Sequence, residues 1–169
     1  HVVCRRQRQM CIRDSPESHE TSAPLDQYSK GLYASEGVGM VLLRRLEDAR
    51  SQNNPILGVI RGSGWSNDGK GKFVLSPNPV GQKRAFERAY EEAGLHPSEV
   101  NYLECHATGT PLGDRIEAQS ISDFFGEQLP LTGSVKSNVG HMLTAAGMSS
   151  LAKFLERSNQ NQFQLPFVF

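Results

Sequence analysis

The sequence is poor in the features that mark several large protein classes. It has three cysteines in 169 residues, Cys4, Cys11 and Cys105. An odd number at irregular spacing is a poor disulfide framework, and it points to a reducing, cytoplasmic setting. No basic excess exists, since 18 Lys and Arg balance 18 Asp and Glu. Nucleic-acid binders and polybasic membrane binders usually carry such an excess, so both classes lose ground. Long apolar runs are missing too: Met40–Leu43 is far short of a membrane span. Arg5, Arg6, Arg8 and Arg13 are not followed by the apolar stretch of a secretory signal. The chain does not begin with Met, and we expect it to be incomplete.

Residues 1–24 are cationic, then polar and Pro-bounded, without period. They are expected to be a disordered or non-native leader, a genuine basic arm being the alternative. The organised part is expected to run from residue 25 to 169. Gly37–Leu46 is Gly-bounded, apolar and β-rich, and reads as a buried strand. Leu46–Ser51 fits a short helix, and Ile56–Arg61 a second strand. Phe86, Ala89, Tyr90 and Ala93 fall at i, i+3, i+4 and i+7, one apolar helical stripe that Gly94 stops. Val100–Cys105 reads as a strand and Thr108–Gly113 as a tight loop. Asp114 is expected to open a helix in the manner of a capping box with Glu117, ending at Gly126. Leu129–Val135 reads as a strand, Lys136–His141 as a loop, and residues 144–157 as a last helix. Strands alternating with helices argue for an α/β layered fold.

Two segments concentrate chemistry. One runs from Glu104 to Asp114, ECHATGTPLGD; the other from Gly133 to His141, GSVKSNVGH. Each places polar groups just after a predicted strand, in a Gly-rich loop before a helix. Ligands of α/β sheets sit at the C-terminal ends of strands, so His106, Lys136 and His141 should gather at one sheet edge. Imidazole N–H groups and an ammonium can stabilise charge developing on a carbonyl oxygen. The plainer alternative is that His106 caps a loop and Lys136 pairs with Glu117. Cys105 and His106 are neighbours on a strand, so their side chains should point apart, and Cys105 is expected to be a buried core thiol.

Three rival motifs fail. Gly64 to Lys70 fits G-x-x-x-x-G-K, but Gly71 stands where the Mg²⁺-binding hydroxyl belongs. Ser150 and Lys153 fit S-x-x-K, but no S-D-N or K-T-G follows. Cys105, His106 and His141 lack zinc-ligand spacing, so no metal is expected.

The two segments resemble the β-ketoacyl synthase (ketosynthase) family. Its first histidine motif reads H-G-T-G-T, then G-D and an acidic position. Here stand His106-Ala-Thr-Gly-Thr110, Gly113-Asp114 and Glu117. Its second reads K-S-N-x-G-H, then A-A-G, and here stand Lys136-Ser-Asn-Val-Gly-His141 and Ala145-Ala146-Gly147. Glu36 to Gly39, Asn67 to Gly69 and Pro77-Asn78 also follow the family's order. The resemblance implies a thiolase-like layered α-β-α fold, here its C-terminal half, from a polyketide or fatty-acid synthase.

It further implies an acyltransferase that decarboxylates a malonyl thioester and condenses the enolate with a cysteine-bound acyl chain. His106 and His141 would stabilise the enolate and thioester oxygens, and Lys136 would order the site through Glu117, with Asp114 supporting it. Thr108 and Thr110 would contact a 4′-phosphopantetheine arm. That arm is carried by an acyl carrier protein, so no cofactor is expected to bind directly. A homodimer is expected of the intact domain. Two departures stand out: no D-T-A-C-S-S-like segment is present to supply the nucleophile, and Ala107 replaces a glycine. The chain is therefore expected to be a fragment unable to complete condensation. A non-catalytic, partner-binding remnant is the other reading.

Overall fold

The computed structural model describes residues 23–69, 76–159 and 167–168. The expectation about a leader concerns residues that, up to position 22, lie outside the described ones. The elements in chain order are α1 (Leu46–Ser51), β1 (Ile60–Gly62), α2 (Pro79–Ala93), β2 (Tyr102–Glu104), α3 (Pro111–Phe125), β3 (Leu131–Gly133), α4 (Lys136–Val139), α5 (Ala146–Asn159) and β4 (Phe167–Val168). Single 3₁₀ turns at Pro97–Glu99 and Leu143–Ala145 join β2 and α5 to what precedes them.

Helix α2 forms where sequence chemistry asks for it. Pro79 takes the first position of α2, where its missing N–H costs nothing, and the Asn78 side chain accepts the Val80 N–H at 3.0 Å. Gly94, at φ 62°, ends it. The stripe of α2 buries Ala89, Tyr90 and Ala93. It meets Ile121 and Phe125 of α3, with Cys105 and Ala107 completing the cluster. Tyr90 lies edge-on to Phe124 and Phe125, ring centroids 5.0 and 5.8 Å away.

Both strand pairs are parallel, which requires crossover connections and confirms the α/β reading. β2 and β3 pair Tyr102 with Leu131, Leu103 with Thr132 and Glu104 with Gly133. The ladder continues through the Cys105 N–H on the Gly133 carbonyl at 2.7 Å. β1 pairs with β4 and runs over α2. A Cβ at Gly64 would stand 1.8 Å from the Ala85 carbonyl oxygen and 2.9 Å from the Ala89 Cβ. Backbone meets helix here with no room for a side chain. Gly64→Ala should therefore lower stability by about 1–3 kcal/mol, read as a lower melting temperature. An unchanged melting curve would show that this contact is not made.

Three expectations need correction. Residues 37–46 form no ladder among the described residues. Gly37 and Gly39 instead lie against Met142 and Met148, while Val38, Met40 and Leu42 are 90% or more exposed. Residues 37–45 are all exposed, so the run packs neither face as a buried strand would. Residues 136–139, read as loop, are the short helix α4. Helix α3 begins at Pro111, not Asp114, with Thr110 as its cap residue. A proline supplies the start, and the acidic residues one turn inside serve another purpose.

Candidate active site

His106 follows β2, Lys136 opens α4 just beyond β3, and His141 follows α4. All three therefore emerge from the C-terminal ends of two adjacent parallel strands. The rings of His106 and His141 sit edge to face, centroids 5.3 Å apart with planes at 86°. The convergence expected from the two motifs is what the fold builds.

The acidic residues of α3 hold the first loop. Glu117 accepts the N–H of His106 at 2.7 Å and of Ala107 at 2.6 Å, one on each oxygen. Asp114, a turn earlier on the same face, accepts the N–H groups of Thr108 (2.9 Å), Gly109 (3.1 Å) and Leu25 (2.8 Å). Ser29 adds a hydroxyl donated to the Gly109 carbonyl at 2.8 Å. Asp114 and Glu117 thus act as loop anchors rather than as a capping box. Ala107 is buried, and its φ is negative, so nothing here demands glycine.

The second loop is tied to the first and to the chain's early segment. Ser134 donates to the Ala107 carbonyl at 2.9 Å. His141 donates its N–H to Tyr33 at 2.7 Å and accepts the Ser35 N–H at 3.0 Å. Its Nδ1 accepts the Leu143 N–H at 2.9 Å, and Leu143 holds φ at 52° to deliver it. That backbone angle is unusual for a branched residue and marks a site whose geometry is over-determined. With Nδ1 an acceptor, the neutral ring carries its proton on Nε2. His141 therefore presents an Nε2–H donor.

Lys136 is buried, 5% exposed, yet makes no ion pair with Glu117 among the described residues. Glu117 is already filled by two backbone donors, which corrects the expected Lys136–Glu117 pairing. The lysine feels Glu104 most strongly and Glu117 next, across the cavity they share. This cavity, about 390 Å³, is also lined by Cys105, His106, Phe86 and Leu151. Thr108 and Thr110 do not line it; their hydroxyls face each other at 3.0 Å.

The site keeps its imidazoles neutral. His106 is pushed down to about 4 by burial, then by the positive charge of Lys136 and by His141, against an opposing pull from Asp114. One side of His106 stays open to solvent all the same. His141 is lowered by burial and by Lys136. Burial also lowers Lys136, while Glu104 and Glu117 raise it. Burial raises Glu117 against its two backbone donors. Lys136→Met should therefore raise the titration midpoints of both rings, followed through their Cε1 protons by NMR. Midpoints that stay put would remove Lys136 from their electrostatic surroundings.

The reading of Cys105 holds: it is 3% exposed, and burial with the nearby Glu117 charge pushes its thiol up to about 12. The S-x-x-K pair is no nucleophile and base. Ser150 faces the Ala146 carbonyl, and Lys153 pairs with Glu104. Residues 63–69 form an irregular loop, with Lys70 outside the described residues, and the next helix starts only at Pro79. Sequence reasoning missed Glu104, Tyr33, Ser35 and Leu143. Only Glu104 carried a signal, as the acidic residue opening the first histidine segment.

Comparison with known proteins bears on the family and the fold. Residues 57–163 match the family described as β-ketoacyl synthase, C-terminal domain. Over 131 residues, 76% of the chain, it is 44% identical to a reducing polyketide synthase, PKS1, of Cochliobolus heterostrophus. Over 128 residues it is 47% identical to the polyketide synthase GfsA of Streptomyces halstedii. The chain spans only 5% and 2% of these two proteins. Among solved structures, it superimposes on the PfaC keto synthase–chain length factor with a TM-score of 0.83 at 50% identity, covering 87% of this chain and 16% of that one. The ketosynthase from module 6 of the bacillaene synthase of Bacillus subtilis 168 gives 0.85 at 34% identity, covering 96% and 31%. The fold is thus the thiolase-like one of the ketosynthases, and the chain belongs to the β-ketoacyl synthase family, whose C-terminal domain residues 57–163 represent.

Proposed function

We propose that this chain supplies the decarboxylating half of a ketosynthase active site in polyketide or fatty-acid synthesis. One observation carries the reading: two imidazoles meet edge to face at 5.3 Å, one with Nδ1 already occupied, beside a buried ammonium. Such a group favours negative charge on a thioester oxygen. In a malonyl thioester, the bond from the α-carbon to the carboxylate breaks and carbon dioxide leaves. The electron pair passes to the thioester oxygen as an enolate. N–H donors from His141 and His106 hold that oxygen, and Lys136 adds positive charge. The enolate then attacks a cysteine-bound acyl group, whose thiolate departs.

The acylated cysteine belongs to a segment outside these residues. Cys105 is unsuited to the role: its thiol is buried and protonated at neutral pH. Iodoacetamide at pH 8 should leave Cys105 unmodified in the native chain and modify it in denaturant, as peptide mapping would read. Labelling of the native chain at Cys105 would reopen it as a nucleophile. Substrates would arrive on the phosphopantetheine of an acyl carrier protein. Thr108 and Thr110 would meet that arm by exchanging their mutual hydrogen bond for the arm's amides, and a homodimer would complete the domain.

Decarboxylation needs no acyl-enzyme, so the chain itself can be tested. Malonyl-pantetheine should release carbon dioxide faster with the chain than in buffer, and the gain should vanish in His106→Ala and His141→Ala. A chain no faster than buffer, or alanine variants as fast as the parent, would favour a non-catalytic remnant.

A further inference from the structure

Besides the histidines, the structure buries a second polar group that the proposed chemistry does not use. Lys153 of α5 donates to Glu104 Oε2 at 2.6 Å and to the Tyr102 hydroxyl at 2.7 Å. Tyr102 in turn donates to the same Glu104 oxygen at 2.6 Å. The Lys153 side chain is 20% exposed and that of Glu104 8%. The other oxygen of Glu104, Oε1, accepts the Val135 N–H at 2.5 Å. Val135 is the residue from which α4 starts, and α4 leads to His141.

We propose that Tyr102, Glu104 and Lys153 form a positioning clamp that fixes the Lys136–His141 loop against the His106 loop. Glu104 is the last residue of β2 and stands two residues before His106. Its carboxylate reaches sideways to the end of β3, so one side chain spans both histidine-bearing strands. Lys153 sets its ammonium 2.6 Å from this buried carboxylate, and Tyr102 donates to the same oxygen. A buried carboxylate without its lysine would turn toward water, and Val135 would lose its acceptor. Gly133, the β3 partner of Glu104, makes the space: a Cβ there would stand 2.7 Å from the Tyr102 hydroxyl and 3.5 Å from the Lys153 Nζ. Glu104 is also the strongest negative influence on Lys136, so the clamp shares its charge with the site. Its catalytic meaning rests on the ketosynthase reading; its geometry does not.

Backbone hydrogen exchange by mass spectrometry separates the two. Lys153→Met should speed exchange in residues 134–140 about tenfold or more, as expected for losing a hydrogen bond to a charged acceptor. Exchange in α2 and α3 should stay as in the parent. Lys153→Arg should restore protection, and the milder Tyr102→Phe should give a smaller change in the same segment. Residues 134–140 exchanging at the parent rate in Lys153→Met would overturn the clamp. So would acceleration spread evenly over every segment in both Lys153→Met and Tyr102→Phe. Turnover of malonyl-pantetheine should fall in Lys153→Met with KM held. A parent chain without turnover would sink the functional reading, and the exchange pattern would still judge the clamp.

Discussion

Replacing His141 with alanine should slow malonyl-pantetheine decarboxylation by about 100- to 1,000-fold, the loss typical of removing one prepositioned oxyanion donor. The size follows from how fully the ring is fixed before substrate arrives. Its backbone is held on both sides by Tyr33 and Ser35, and Leu143 bends into a left-handed angle to occupy Nδ1. The Nε2–H needs no reorganisation when charge appears on the oxygen. Acid should act on the same contact. Protonating His141 puts a second hydrogen at Nδ1, facing the Leu143 N–H, and the ring must turn away. Both rings are held below the ordinary histidine value, His106 at about 4. Between there and roughly 6.5 the unfolded chain binds more protons than the folded one. Stability is therefore complete above that window and declines as pH falls through it. The decarboxylation rate should follow, level from pH 7 to 8 and dropping only well below 6.5. Rates measured from pH 4 to 8 in the parent would expose an error if the acid limb were centred at or above 6.5.

The parts of this fold legible in the sequence are those written in local pattern. The stripe through Phe86, Ala89, Tyr90 and Ala93, with Gly94 as its stop, lies within one helix and needed no tertiary information. His106 and His141 could be brought together because strand ends of parallel sheets point one way. Asp114 and Glu117 misled for a physical reason. An acidic pair three apart after a Gly serves a capping box and a loop anchor equally well. Pro111 was the better signal for the helix start. Gly37–Leu46 looked like a strand buried on both faces, but residues 37–45 are all exposed, and a side chain at Gly37 or Gly39 would collide with Met142 or Met148. The clamp was not legible at all. Glu104 and Lys153 are 49 positions apart, and Lys153 stood inside a motif that belonged to other chemistry. Side-chain pairs of that separation leave no trace in periodicity or composition.

Asp114 carries the largest expected effect on stability. Asp114→Ala should cost about 3–5 kcal/mol, because it strips acceptors from three backbone N–H groups, each worth roughly 1–3 kcal/mol when left unpaired in a buried place. Thr108 and Gly109 are buried, so water does not readily replace the carboxylate there. Water can reach Leu25, 40% exposed, so its N–H adds least. Against a typical total of about 5–15 kcal/mol, such a loss is a large fraction of what holds a domain together. The melting temperature should fall by roughly 10 °C for a domain of this size. Asp114→Asn keeps one acceptor oxygen and turns the other position into a donor, so it should lie between parent and alanine. The loss should also reach the chemistry, since the freed loop begins two residues after His106. A melting temperature within about 2 °C of the parent in Asp114→Ala would mean that Glu117 alone anchors the loop. In that case Glu117→Ala, which orphans the His106 and Ala107 N–H groups, should be the variant that fails to hold the two rings together.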